Sequence, residues 1–283
     1  MQVGVIVTYG ADTDIKKEFE KVVEMGIYSC QLNMWNQKLF TDECAEKIID
    51  ASKSTGVEIS GLWAGWTGPC EWNFNVGPAV LGLVPPAYRS KRTDEMLNAS
   101  AFAEKIGVTD IITHCGFIPE NPMDPDFMGL VGALRKICGV MKERGQYFLF
   151  ETGQETPTTL LRTIEEVGTG NLGINLDTGN LVLYGKANPV DALDTIGKYV
   201  RNTHCKDGFY PTEPYKLGKE CRLGDGKVDF RGLLKKLDEL GYTGALTIER
   251  EISGEQQIKD IIYTRGLLEN LMDELNISYK KAN

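Results

Sequence analysis

Four short apolar runs in the second half of the chain each end on a residue able to ligate a metal or carry a proton: Phe148-Leu-Phe-Glu151, Ile174-Asn-Leu-Asp177, Asn202-Thr-His204 and Leu246-Thr-Ile-Glu249. Three carboxylates and one imidazole gathered without a counter-charge would repel and force protons onto some of them, whereas a divalent cation neutralises most of that charge. Oxygen-dominated ligation with one nitrogen suits Mn²⁺ or Mg²⁺, admits Co²⁺ or Zn²⁺, and leaves room in an octahedral shell for two substrate oxygens. A single Asp or Glu at a strand end more often caps the next helix or pairs with a lysine. Four at equivalent places in consecutive strands favour the metal.

The convergence depends on the elements that carry these residues. Apolar runs alternate with helix-period segments from end to end, the pattern of a parallel sheet with helical crossovers. The eight strands expected are Val3–Thr8, Tyr28–Asn33, Val57–Trp63, Asp110–His114, Gln146–Glu151, Leu172–Asp177, Val200–His204 and Ala245–Glu249. Amphipathic stretches separate them: Asp14–Met25, Thr41–Ser54, Ser90–Ile106, Phe127–Arg144, Pro157–Glu166, Pro189–Ile196, Phe230–Leu240 and Gln256–Leu275. The repeat is about 35 residues, the size of one βα unit of a closed barrel. The first turn, Tyr9-Gly10-Ala11-Asp12, lacks the Gly-x-Gly-x-x-Gly that doubly wound dinucleotide folds carry there. A single (β/α)8 TIM barrel spanning residues 1–283 as one domain is therefore expected, its strand ends meeting at one mouth.

Strand parity sharpens this. If Glu151 faces the barrel axis, Leu149 does too, and the same alternation turns Asn175 with Asp177, Asn202 with His204, and Thr247 with Glu249 inward. Lys206 shares the parity of His204, so it is placed to hold a substrate hydroxyl or a developing oxyanion, or else to pair with Asp207 or a neighbouring carboxylate. His114 ends strand 4 facing the same mouth and reads as a substrate contact or a support for a ligand. Trp35, Trp63, Trp66 and Trp72 lie at or after strands 2 and 3. Their faces match the C–H faces of a sugar, with Trp66 as the expected contact, and equally suit a subunit interface of a homo-oligomer. Two long connections, Ala64 to Ser90 and Lys206 to Asp229, are expected to border the site.

Composition narrows the chemistry. The formal net charge is −9, which opposes a nucleic-acid partner. Only two histidines are present, His114 and His204, so a histidine-rich multi-zinc centre cannot be built. Seven scattered cysteines without a Cys-x-x-Cys read as reduced thiols. No apolar run has the roughly 20 residues of a bilayer span, and Met1-Gln-Val-Gly-Val-Ile-Val lacks the charged lead of a signal peptide. A cytoplasmic location without membrane contact is expected.

Taken together, Glu151 in Phe-Glu-Thr-Gly-Gln-Glu, Asp177 in Leu-Asp-Thr-Gly-Asn, His204 in His-Cys-Lys-Asp, the stretch Gly224-Asp-Gly-Lys-Val-Asp-Phe and the stretch Gly241-Tyr-Thr-Gly-Ala-Leu-Thr-Ile-Glu-Arg-Glu resemble the xylose isomerase-like barrel superfamily, in particular its sugar isomerase/epimerase branch. The resemblance implies one divalent metal, usually manganese, on Glu151, Asp177, His204 and Glu249, with Glu151 and Glu249 also moving protons on a sugar. It implies that Arg222 in Glu-Cys-Arg-Leu-Gly-Asp contacts substrate, although a loop arginine is as often solvated. The implied activity is metal-dependent isomerisation or epimerisation of a ketose or related keto-sugar through a metal-held cis-enediolate. The alternative is a lyase, deglycosidase or dehydratase acting on a keto-sugar or oxidised glycoside. Apurinic endonucleases share the superfamily, but their multi-zinc, DNA-facing site is incompatible with two histidines and the acidic charge. A degenerate, non-catalytic barrel is disfavoured because the ligand set is complete.

Overall fold

The computed structural model describes residues 1–281. Eight parallel strands close into a barrel in the order β1-β10-β7-β6-β5-β4-β3-β2. They are β1 (Gln2–Thr8), β2 (Ser29–Met34), β3 (Glu58–Ala64), β4 (Asp110–Thr113), β5 (Tyr147–Glu151), β6 (Leu172–Asp177), β7 (Val200–Cys205) and β10 (Ala245–Ile248). A small antiparallel ribbon, β8 (Asp207–Phe209) with β9 (Lys219–Cys221), is built into the connection after β7. The helices are α1 (Ile15–Glu24), α2 (Asp42–Thr55), α3 (Gly77–Val80), α4 (Pro86–Lys105), α5 (Pro125–Glu143), α6 (Pro157–Val167), α7 (Thr178–Leu183), α8 (Pro189–Ile196), α9 (Phe230–Glu239) and α10 (Glu255–Glu274). The expected single (β/α)8 barrel is the fold.

Local chemistry sets the boundaries. Thr156 caps α6 by accepting from the Thr159 N–H, Pro157 opens its first turn, and Gly168 ends it at φ 67°. Pro86 likewise starts α4 a turn before the expected Ser90, because its missing N–H costs nothing at a first helical position. Two expected strands close one residue early, so His114 and Glu249 stand just beyond β4 and β10. Three elements had no sequence signal. The ribbon and α3 lie in connections read as loops, and all six residues of α7 are buried, so it shows no polar face.

The outward faces of the strands pack under the helices, as with Phe148 and Phe150, whose rings meet edge-on at 5.5 Å. Cys115 and Cys205 belong to this outer core. Inside the barrel, Leu149, Ile112 and Trp63 pack with Trp66 and Leu81 from the β3–α4 connection. Beside them runs a polar layer. Gln31 Nε2 donates to Asn175 Oδ1 at 2.8 Å, Asn202 Nδ2 donates to the Ser60 carbonyl at 2.9 Å, and Thr247 Oγ1 donates to Asn202 Oδ1 at 3.4 Å. These linked amides form the floor on which the site rests, with Asn175 Nδ2 left buried without a partner.

Candidate active site

Glu151, Asp177, His204 and Glu249 offer ligand atoms that all lie within 4.8 Å of one another. Adjacent strands place them: β5, β6, β7 and β10 are consecutive in the barrel, with Glu151 and Glu249 outermost. His204 is the hub. Its Nδ1 lies 3.1 Å from Glu151 Oε1, 3.2 Å from Glu249 Oε2 and 3.6 Å from Asp177 Oδ2, while its Nε2 lies 2.6 Å from the side-chain Oε1 of Gln31. An amide oxygen only accepts, so Nε2 carries the proton and donates. The Nδ1 aimed at three carboxylate oxygens then holds either a second proton or a cation in front of its lone pair.

The charges are arranged consistently with that. Burial alone pushes the Glu151 carboxyl up, but the imidazoles of His114 and His204 overcome it and hold the group well below its usual range. Glu249 is likewise raised by burial and then brought down to about 2 by Lys206 and His204. Asp177 goes the other way: burial lifts it to about 7 against the pull of Lys206 and His204, with Glu249 and Glu151 adding to the rise. Its Oδ1 caps α7 by accepting from the Asn180 N–H at 2.7 Å, whereas Oδ2 is buried without a hydrogen-bond partner. Asp177 is thus both helix cap and orphan acceptor. A divalent cation fits this donor set, since it would satisfy that oxygen and stand where His204 otherwise needs a proton.

The neighbours orient the ligands. His114 Nε2 is 3.3 Å from Glu151 Oε2, to which the Trp63 indole also donates, and Asn180 Nδ2 donates to Oε1 at 3.4 Å. Lys206 is fully buried, its ammonium 2.7 Å from Glu251, 3.2 Å from Glu249 and 3.7 Å from Asp177. It does not pair with Asp207. That carboxylate accepts from the backbone N–H groups of Gly208, Gly224, Gly226 and Val228 at 2.8–3.1 Å, and a Cβ at Gly226 would stand 2.1 Å from its Oδ1. The Gly224-Asp-Gly-Lys-Val stretch is therefore wrapped around Asp207.

A cavity of about 430 Å³ opens above the cluster. His114, Trp35, Trp63 and Trp72 form one wall, and Glu249 to Ile252 with Leu217 form part of the other. Two expected contacts are placed elsewhere. Arg222 is turned outward by the anchored loop, pairs with Asp225 at 3.1 Å and lies 4.0 Å over the Tyr263 ring. Trp66 is buried behind the wall, its ring 6.0 Å from that of Trp63 and under the Arg92 guanidinium. Of the long connection after β7, Leu217 reaches the cavity wall, and the segment after β10 contributes more of the cover.

Sequence reasoning missed Gln31, legible only as one of two amides in β2, and Trp63, whose ring was seen but not its bond to Glu151. It also missed Gln154 and Glu155, which follow Glu151 and are buried with no hydrogen-bond partner on their polar side-chain atoms. Burial pushes the Glu155 carboxyl up to about 8.

Similarity to known proteins agrees with the geometry. A crystal structure of a xylose isomerase domain protein from Planctomyces limnophilus superposes with a TM-score of 0.90 at 32% identity, covering 98% of this chain and 99% of that one. A D-tagatose 3-epimerase-like protein shares the fold at a TM-score of 0.72, with 20% identity over 98% of each chain. Inosose dehydratase from Geobacillus thermodenitrificans is 26% identical over 141 residues, 43% of this chain and 46% of that protein, and the chain spans about half the length of the curated relatives it matches. No helix among the described residues is long and apolar enough to cross a membrane. The xylose isomerase-like TIM barrel family model matches residues 19–267, and the chain belongs to that family.

Proposed function

We propose that the protein, acting as one domain over residues 1–283, is a divalent-metal-dependent sugar isomerase or epimerase acting on a ketose or related keto-sugar. The observation that carries this is His204, with Nε2 committed to Gln31 and Nδ1 facing three carboxylates. Glu151, Asp177, His204 and Glu249 would hold the ion, with Mn²⁺ the best match and Mg²⁺, Co²⁺ or Zn²⁺ compatible. When bound, the ion polarises a sugar carbonyl and acidifies the adjacent C–H.

The rest is the work of the chain. Glu151 and Glu249 occupy the two outer positions of the four, so they reach a bound sugar from different sides. One removes the proton beside the carbonyl and the other returns it to the same carbon, which inverts a stereocentre; return by the first base to the former carbonyl carbon, with the proton of the adjacent hydroxyl passing to the former carbonyl oxygen, shifts the carbonyl instead. His114 favours the ionised form of Glu151, and Lys206 that of Glu249, and the bound ion would add to both. The Lys206 ammonium offers a proton donor to a sugar oxygen beside Glu249, and Trp35, Trp63 and Trp72 present ring faces to the sugar. Turnover in D₂O should place deuterium on the carbon beside the carbonyl, and Glu151→Gln or Glu249→Gln should abolish it. Product free of solvent deuterium contradicts the two-base reading.

A second reading, elimination from a keto-sugar, is favoured by Lys206. A buried ammonium next to a base is suited to protonating a departing oxygen, and inosose dehydratase is among the relatives. Loss of water or an alcohol from the substrate, followed by mass spectrometry, would select it over epimerisation.

A further inference from the structure

Beyond Glu249 the chain turns along the rim of the cavity, and each residue of that turn is tied down. The Glu251 N–H donates to Glu220 Oε1 at 3.1 Å, and Glu220 Oε2 lies 2.8 Å from the Arg250 guanidinium. Arg250 is held again from α10: its Nε donates to Asp260 Oδ2 at 2.8 Å, and its carbonyl accepts from Gln257 Nε2 at 2.8 Å. The ribbon strand β9, which carries Glu220, and helix α10 thus grip the turn together. The side chain of Glu251 is fixed as well. Its Oε1 lies 2.7 Å from the Lys206 ammonium, which also reaches Glu249 at 3.2 Å. Its Oε2 makes no bond within the described residues, and the side chain is 57% exposed where it lines the cavity.

An acceptor set in place before a ligand arrives loses little freedom when it binds. Carboxylate oxygens take short, charge-assisted bonds from hydroxyl groups. One ammonium bridges Glu249 and Glu251, so Glu251 stands within reach of a sugar whose reacting carbons are at Glu249. The same carboxylate decides what does not enter. Among the described residues that line the cavity, the one arginine or lysine is Arg250, and its charge is already met by Glu220 and Asp260. A phosphate or carboxylate on the substrate would face Glu251 with no uncommitted cation to offset it.

We propose that Glu251 is a specificity-determining residue whose carboxylate, held by Lys206 and Glu220, accepts hydrogen bonds from sugar hydroxyls beyond the reacting carbons and repels a sugar that is anionic at that end. This rests on the sugar-enzyme reading above and adds the residue that selects the far end of the substrate.

The test uses D-fructose, D-tagatose and D-psicose, each beside its 6-phosphate, and follows metal-dependent deuterium uptake from D₂O at the carbon next to the carbonyl by NMR. The metal-loaded protein should favour at least one free ketose over its phosphate by about tenfold or more in kcat/KM. Glu251→Gln, half-exposed and therefore tolerated by the fold, should raise KM for that ketose by about five- to twentyfold, change kcat by less than about twofold, and narrow the preference over the phosphate to less than about threefold. An unchanged KM and preference in the variant overturns the proposal. So does a fall in kcat at constant KM, or a weaker Mn²⁺ affinity by calorimetry that accounts for the change, because either would mean that Glu251 acts through Lys206 on Glu249 and not on the sugar. Wild-type protein that exchanges none of the six compounds strikes the sugar-enzyme reading, and this inference falls with it; exchange with an equal preference for ketose and phosphate strikes Glu251 alone.

Discussion

Gln31 and His204 sit on strands at different points of the barrel, yet Gln31 Oε1 accepts the His204 Nε2–H at 2.6 Å. The same amide donates to Asn175 Oδ1, which fixes its orientation from the other end. One interior glutamine thereby decides which imidazole nitrogen faces the carboxylates.

Gln31→Leu should therefore lower metal affinity by about 10- to 100-fold, the usual cost of losing such a supporting bond, with the barrel still folded. Titration calorimetry with Mn²⁺, beside a circular dichroism spectrum, checks it. Unchanged affinity would show that Nδ1 is presented to the cluster without Gln31.

Asp207 gives a prediction about architecture. Replacing it by Ala strips the acceptor from four backbone N–H groups and leaves part of the loop unsatisfied. A loss of about 3 kcal/mol is expected, with faster hydrogen exchange in Gly224–Val228 than elsewhere. Denaturant unfolding and exchange mass spectrometry measure both, and a neutral effect would mean that water replaces the carboxylate.

Much of this was legible beforehand and some was not, for identifiable reasons. The strands were found because buried apolar runs alternate with long amphipathic helices, and parity then turned Glu151, Asp177 and His204 inward. Arg222 was misplaced because the pull of Asp207 on the loop is exerted through backbone N–H groups, which leave only spaced glycines as a trace. Trp66 failed differently. Its place after β3 put it near the mouth, but pattern does not reveal that it is buried against Trp35, Trp63 and Trp72, which line the cavity instead. Pairings across the barrel, such as Gln31 with His204, have no counterpart in local sequence.

Glu155 supplies a pH dependence. Its carboxyl is raised by burial to about 8 from an ordinary 4.5, so the folded protein holds a proton that the unfolded chain releases. The stability of that protonated form is fully present below about pH 4.5, falls as pH rises, and is lost by the time pH has passed about 8. Glu155→Gln keeps the neutral shape and removes the titration, so its melting temperature relative to the native protein should rise between pH 5 and pH 9. A parallel pH profile for the two proteins would show that Glu155 is ionised in the fold.

The central claim is that Glu151, Asp177, His204 and Glu249 together hold one divalent ion needed for turnover, and the most direct measurement is elemental analysis of protein purified without chelator, paired with activity before and after chelation and in Asp177→Asn. The account predicts one ion per chain, activity lost on chelation and restored by Mn²⁺, and an Asp177→Asn protein that folds but carries little metal. Protein free of metal that still converts its sugar would contradict it.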